Sequence, residues 1–497
     1  MCGIVAIHDP GRPGGPDDAL GGRMLDRIRH RGPDGRGERL VGPTWLGHAR
    51  LSIVDLSGGD QPLGSHDGHW AVVNGEIYNH SQLREVSPRD FRTDSDSEAA
   101  LAAAVSDDPD ALGDLRGMYA FAVAHADGDL VVARDPVGVK PLYWARIGTL
   151  TLFASEIRAF DAEHRPYVEN FPPGHRWTPQ GGLQRFRELH VDGAEITDRN
   201  QALTMIRETL ETAVRRRMMA DVPVGVFLSG GLDSSLVAAL MAAHASEAHG
   251  PVHSFAAGTA ESSDLAAARR VAEHLGLEHH ERVFDAEEVL AVLPEVVASI
   301  ESYEPSLVRS AVPNYLLAET TARTVKVVLT GEGADELFAG YDHHRDIDNL
   351  REELVRSISG LHNLNLQRCD RVTMAFGLEA RVPFLDRDLV NLAARLPIEW
   401  KLPGAVGREK ALLREAFEGW LPHDLLWRPK EQFGDGSGTA DVMSRYVDRL
   451  PPEPDWAERR VAGLPAARSR EELAYQRLFA DGLRGVPAGL LGRFPGA

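Results

Sequence analysis

Apolar and polar positions follow two different rhythms along this chain, and the rhythm changes near residue 200. Before that point, short apolar runs are bounded by Gly, Pro and Asp, and residues 2–8, 70–74, 129–134 and 150–154 read as strands. Helical periodicity is confined to residues 19–29 and 97–105. Many strands and few helices predict an α+β sandwich with its sheets between helical layers, an αββα arrangement. After residue 200, long helical patterns alternate with buried strands. Residues 224–228 end in Ser229-Gly230-Gly231 ahead of a helix over 234–244, and residues 325–329 end in Thr330-Gly331-Glu332-Gly333 ahead of a helix from 335. Strand, glycine turn and helix in repetition predict an α/β domain with a parallel sheet and ligands at its carboxyl ends.

Pro166, Pro172, Pro173, Pro179 and Gly181-Gly182 interrupt both rhythms. The chain therefore divides into a first domain over 2–165, a connection over 166–200 and a second domain over 201–450. Residues 451–497, rich in Pro, Ala and Arg and without a motif, read as a variable extension.

Composition narrows the function class. A length of 497 residues suits two or three domains, and 43% hydrophobic with 26% charged residues is globular usage. The formal charge of −20 argues against nucleic acid or an anionic membrane surface as partner. No run reaches the roughly 18–20 apolar residues of a membrane span, and no signal-peptide pattern opens the chain. With only Cys2 and Cys369 present, a reducing, cytoplasmic setting is expected.

Three stretches carry chemistry. Removal of Met1 would leave Cys2 with a free α-amine of pKa about 7.7–8.0 beside a thiol of about 8.5. The amine can then take the thiol proton without a histidine, which is the chemistry of an N-terminal nucleophile hydrolase. Ser229-Gly230-Gly231-Leu232-Asp233-Ser234-Ser235 has the glycines and helix-opening N–H groups of an anion cradle, but not the Lys of a Walker loop. It resembles the pyrophosphate loop of the ATP pyrophosphatase family. In the loop after 329, Glu332, Asp335 and Glu336 crowd one strand end. Asp335 with Asp233 would offer Mg²⁺ two hard oxygen ligands, while Glu336 is expected to face solvent on the helix's first turn. Lys430, in Arg428-Pro429-Lys430-Glu431-Gln432-Phe433, is by itself an unremarked lysine.

Taken in order, these segments resemble the glutamine-hydrolysing asparagine synthetase family over roughly the first 440 residues. Further matches are Arg29-His30-Arg31-Gly32-Pro33-Asp34, the Arg50–Asp55 and Asn74–Asn79 segments, Ser95-Asp96, Arg134-Asp135-Pro136, Ser155-Glu156-Ile157 and the segment over 379–386. The resemblance implies a class II glutamine amidotransferase domain followed by an ATP-dependent synthetase domain. Cys2 would attack the glutamine amide, with Asn74 and the Gly75 N–H as oxyanion hole. Arg50 would hold the α-carboxylate, and Glu76 and Asp96 the α-ammonium. In the second domain, aspartate would attack ATP to give β-aspartyl-AMP and pyrophosphate. Leu228, Ser229, Gly230, Gly231, Ser234, Ala257 and Gly331 would cradle the nucleotide, Asp233 and Asp335 would hold Mg²⁺, and Lys430 would offset developing charge. Glu332 stands where β-lactam synthetases carry Tyr, which favours ammonia as the acceptor.

The chain departs from the family in a shortened stretch around 85–91 and in little recognisable match after about residue 449. No residue reading aspartate's α-amino group can be named, so amidation of another carboxylate stays open, as does a silent homologue that only binds. A homodimer is what the family suggests. The pairs His279-His280 and His343-His344 are not expected to hold zinc, since neighbouring strand residues face opposite ways. Cys369 reads as a small core residue.

Overall fold

The computed structural model describes residues 2–87, 89–189, 193–245, 250–402, 407–431, 436–449 and 453–494. Met1, Pro88, Gln432 and Phe433 of the segments above lie outside them. In the first half the strands are β1 (Gly3–His8), β2 (Gly35–Val41), β3 (Thr44–Arg50), β4 (Leu63–Gly64), β5 (Trp70–Ile77) and β6 (Gly117–Ala124). They continue as β7 (Leu130–Arg134), β8 (Tyr143–Ile147), β9 (Leu150–Ala154), β10 (Val168–Asn170), β11 (His175–Thr178) and β12 (Gly182–Arg185). One sheet runs β10-β8-β9-β1-β3-β2 and the other β12-β11-β7-β6-β5-β4, with antiparallel pairing throughout.

Alternation explains why these strands read as unbroken apolar runs. Ile4 and Ala6 of β1 face Val72, Ala120 and Val132 of the other sheet. Val5 and Ile7 point outward onto Met24 and Leu25 of the helix Asp18–Arg27. On the far side, Ala71 and Val73 meet Ala99 and Ala100 of the helix Ser97–Ala104. Both faces of each sheet are therefore covered, and the αββα expectation holds.

The second half contains β13 (Val224–Phe227), β14 (His253–Gly258), β15 (Glu278–Val283), β16 (Val327–Leu329) and β17 (Glu379–Arg381). They form a parallel sheet in the order β15-β14-β13-β16-β17. Val226, Ala256 and Leu329 face one helical layer; Phe255, Ala257 and Val328 face the other. No described helix is long and apolar enough to cross a membrane.

Two stretches differ from the sequence expectation. Within 166–200, β10 extends one N-terminal sheet and β11-β12 the other, so much of the expected connection is sheet edge; its prolines punctuate short strands. Within 451–497, the helix Arg470–Leu483 buries Tyr475, Phe479 and Leu483 in a core shared by both halves. Asn170 Nδ2 donates to the Leu490 carbonyl at 2.8 Å, and Arg309 pairs with Glu471 at 2.9 Å. The extension is a strut between domains.

The halves also meet through buried charge. Arg31 Nη1 donates to Glu156 at 2.8 Å and to Asp370 at 2.7 Å. Arg371 pairs with Glu301 at 3.2 Å. Replacing Arg31 with Met would leave two buried carboxylates short of a cation. We expect destabilisation of about 3–5 kcal/mol, read as a lowered urea unfolding midpoint. An unchanged midpoint would show that the network carries no such constraint.

Candidate active site

Two sites emerge from this frame. In the first, Cys2 lies just ahead of β1 and bridges the two N-terminal sheets: its backbone N donates to Asn74 Oδ1 at 3.0 Å. Its Sγ lies 3.9 Å from the Leu51 carbonyl, and its own carbonyl accepts from Arg31 Nε at 3.1 Å. Burial pushes the Cys2 thiol pKa up. Asn74 Nδ2 is buried and has no hydrogen-bond partner, so an amide donor is left facing the nucleophile's neighbourhood. Gly75 has φ +149°, and a Cβ there would stand 2.0 Å from the Met118 carbonyl. Only glycine fits the strand beside that donor.

Arg50, at the end of β3, is engaged by the loop that follows it. Its Nη1 donates to Asp60 at 2.7 Å and its Nη2 to the Asp55 carbonyl at 2.7 Å. The Asp60 side chain is 84% exposed, so this partner is one that another carboxylate can displace. Glu76 and Asp96 are buried together. Asp96 accepts from Ile77 N at 2.6 Å, and burial with the charge of Glu379 raises its pKa to about 6. Burial, Glu379 and Asp96 push Glu76 well above the usual carboxylate range. Arg381 Nη2 stands 3.4 Å from Glu76 Oε2, yet neither atom has a hydrogen-bond partner. The distance is that of an ion pair whose geometry is too poor for a bond. Glu76 and Asp96 stay raised beside Arg381, and a further positive group would relieve them.

The second site is a cavity of about 800 Å³ at the carboxyl ends of β13, β14 and β16. Leu228, Ser229, Gly231, Asp233, Ser234, Ala257, Gly331, Glu332, Asp335 and Lys430 all line it, while Gly230 does not. The helix Leu232–Ala243 starts without a side-chain cap, which leaves its first N–H groups for an anion. Ser229 Oγ and Ser234 Oγ stand 3.1 Å apart and tie the loop. The loops after β13 and β16 touch closely: a Cβ on Gly331 would meet Asp233 Cβ at 2.8 Å. That approach brings Asp233 and Asp335 to one ammonium. Lys410 Nζ lies 2.5 Å from Asp233 and 2.7 Å from Asp335.

Lys430 pairs with Asp335 too. Against the pull of burial, Lys410 and Lys430 hold Asp335 far below the usual range. Burial, with the charge of Asp335, pushes Asp233 up despite Lys410 and Lys430, and its Oδ1 is buried without a partner. Glu332 pairs with Arg368, and burial raises its pKa. Cys369, expected as core filler, is buried and also lines the cavity.

One expectation fails. Glu336 does not face solvent: it is 3% exposed. The helix Ala334–Leu337 is a single turn, and it points the carboxylate inward to the Tyr341 hydroxyl at 2.6 Å and Asn365 Nδ2 at 3.3 Å. Burial, then Asp335, raises its pKa to about 7.

The sequence reading missed Lys410, Arg368 and Arg381. Arg381 lay in the matched segment over 379–386 without a role, and Arg368 and Lys410 carried no motif.

The family description Asparagine synthase matches residues 205–351 and 342–459, and the description Glutamine amidotransferase domain matches residues 1–171. A probable glutamine-hydrolysing asparagine synthetase of Schizosaccharomyces pombe is 37% identical, over 97% of this chain and 93% of its own. Asparagine synthetase B (glutamine-hydrolysing) of Escherichia coli is 40% identical, over 88% of this chain and 83% of its own. Asparagine synthetase 3 (glutamine-hydrolysing) of Arabidopsis thaliana is 38% identical, over 88% and 79%.

The raised pKa of Asp96 predicts a pH dependence for a cation received between Glu76 and Asp96. As pH falls through about 6, Asp96 takes up a proton and the pair loses attraction for an ammonium. The KM for glutamine should then rise by about tenfold per pH unit, and Asp96→Asn should flatten that rise while weakening binding at pH 8. A KM that stays flat from pH 7 to pH 5 in the unsubstituted enzyme would remove the pair from ammonium binding.

Proposed function

Because the chain belongs to the family of glutamine-hydrolysing asparagine synthetases, we propose that it makes L-asparagine from L-aspartate and ATP with nitrogen from L-glutamine. At the first site, Cys2 sulfur bonds to the side-chain carbonyl carbon of glutamine. Its proton passes to the α-amine that removal of Met1 exposes and from there to the leaving nitrogen, so the C–N bond breaks to release ammonia. This leaves a γ-glutamyl thioester that water hydrolyses to glutamate and the free thiol. The buried thiol rests protonated, so a base on the same residue is what the step needs. The free Asn74 Nδ2, with the Gly75 N–H, meets the oxygen as it gains charge. Arg50 exchanges Asp60 for the substrate α-carboxylate, and Glu76 with Asp96 takes the α-ammonium.

At the second site, the β-carboxylate of aspartate attacks the α-phosphorus of ATP, and the bond to the bridging oxygen breaks. The helix-opening N–H groups, Lys410 and Lys430 meet the charge that builds on pyrophosphate. The unpartnered Oδ1 of Asp233, close to Asp335, is the donor set a hard divalent cation takes; Mg²⁺ held there would supply positive charge against phosphate oxygens. Ammonia then displaces AMP from the β-aspartyl carbon, and Glu332, with its raised pKa, is placed to accept a proton from the incoming nitrogen.

The observation that carries this two-site reading is the helix Asn365–Met374. Its Arg368 pairs with Glu332 in the cavity, and two residues on, Asp370 bonds Arg31, which donates to the Cys2 carbonyl. One helix thus touches both sites through residues two apart.

Pyrophosphate release with a panel of carboxylic acids tests the reading, and aspartate should be the acid that supports it. Cys2→Ala should abolish glutamine-dependent synthesis and leave synthesis from added ammonia intact; equal loss of both would refute two separate sites. Asn74→Ala should lower glutaminase kcat by about 10²–10³-fold. Asp335→Asn should suppress aspartate-dependent pyrophosphate release while glutamine hydrolysis continues.

A further inference from the structure

Away from both sites, the edge of the parallel sheet brings two imidazoles and a carboxylate to a common point. His253 opens β14 and is the register partner of Glu278, which opens β15. His280, two residues further along β15, lies on the same face because side chains alternate along a strand. His253 Nδ1 stands 3.1 Å from His280 Nε2. Glu278 Oε1 stands 3.6 Å from that Nδ1 and 3.7 Å from that Nε2. The same three atoms enter all three distances, so they are the corners of one triangle. The circle through corners with these separations has a radius of about 2.0 Å. Zn²⁺ binds imidazole nitrogen at about 2.0–2.1 Å and carboxylate oxygen at about 2.0–2.2 Å.

We propose that His253, Glu278 and His280 form a binding site for a transition-metal ion, with Zn²⁺ the ion that this ligand set suits. Two imidazoles and one carboxylate favour Zn²⁺, Co²⁺ or Ni²⁺ over Mg²⁺, which prefers all-oxygen octahedral shells. An ion just off the plane of the triangle takes one lone pair from each ring nitrogen, each ring carrying its N–H on its other nitrogen. Water completes the tetrahedron.

The rings are held ready for this. Phe255, 1% exposed, stacks on His280 with centroids 4.9 Å apart and planes 16° from parallel. The imidazole plane is thereby fixed before any ion arrives. The ligands remain reachable from solvent, since the Glu278 side chain is 50% exposed and that of His280 is 32% exposed. His279 takes no part: it faces the other side of the sheet, with Nδ1 2.9 Å from Ser254 Oγ. His279 and His280 thus face opposite sides of the sheet, as neighbouring strand residues do. The second imidazole comes instead from the neighbouring strand, a pairing that sequence spacing does not reveal.

The test uses the full-length chain carrying Cys2→Ala, which removes the nucleophilic thiol as a competing ligand. The protein is freed of metal by a chelator and kept in excess Mg²⁺, and Zn²⁺ uptake is followed by equilibrium dialysis. Co²⁺ is added in parallel to record its visible absorption. One equivalent of Zn²⁺ should bind, with affinity reduced at least about tenfold in His253→Asn and in His280→Asn and unchanged in the control His343→Gln. The Co²⁺ bands should weaken in the same two variants, and Zn²⁺ should raise the Tm of the parent but of neither. Glu278→Gln, an exposed isosteric change, serves if a histidine variant fails to fold, and it too should weaken uptake. No uptake at micromolar Zn²⁺, or uptake indifferent to all three substitutions, overturns the proposal.

Discussion

The guanidinium of Arg31 is the constraint on which both sites depend. It is fully buried, and its nitrogens bond Glu156 of its own domain, Asp370 of the other, and the carbonyl of Cys2. A buried charge of this kind is a poor source of net stability, because desolvation consumes most of the Coulombic gain. What it supplies is registry. A guanidinium fork accepts partners only in a narrow set of directions, so the residue that fixes the nucleophile's backbone also fixes how the second domain docks. Arg371 repeats the device with Glu301, whose carboxylate in turn accepts from Ile157 N at 2.9 Å.

From this docking follows the use of residues across the boundary. Glu379 and Arg381 sit on the last strand of the parallel sheet, yet Arg381 reaches Glu76 of the first domain and Glu379 raises the pKa values of Asp96 and Glu76. The electrostatics around Glu76 and Asp96 are therefore not the property of the amidotransferase domain alone. The tail adds a similar link on the other side: the Arg493 side chain and Phe494 line the second cavity, and Arg493 is anchored by Glu472 of the helix Arg470–Leu483.

The parts that could be read from sequence are those whose signal is local. Strands buried on both faces show as unbroken apolar runs, and a phosphate cradle shows as glycines between a strand and a helix. Lys410 could not be found that way. It stands alone in Arg408-Glu409-Lys410-Ala411, and its role comes from a backbone at φ +54° and a chain path that returns it to two acids far away in sequence. Glu336 misled because a helix's first turn usually faces water, and nothing local says that this helix ends after one turn. The tail misled because docking onto a core built by both domains needs only ordinary apolar spacing at Tyr475, Phe479 and Leu483.

The direction in which buried carboxylates are shifted separates the groups that hold the domains together from those left wanting. Against burial, His30 and Arg371 hold Glu156 well below the usual range, and Arg31 does the same for Asp370. Asp96, Glu76, Asp233 and Glu332 are all raised, burial leading in each case. The division is not complete. Asp135 is raised as well, although Val137, Gly138, Val139 and Lys140 donate their N–H groups to it. Backbone dipoles satisfy its hydrogen bonds without a full counter-charge, so it ties a turn and calls for no ligand. Asp233 joins a raised pKa to an unpartnered oxygen of its own, whereas Asp335, which shares Lys410 with it, is lowered instead. Points that a fold leaves incomplete are where binding energy can be directed to reacting groups.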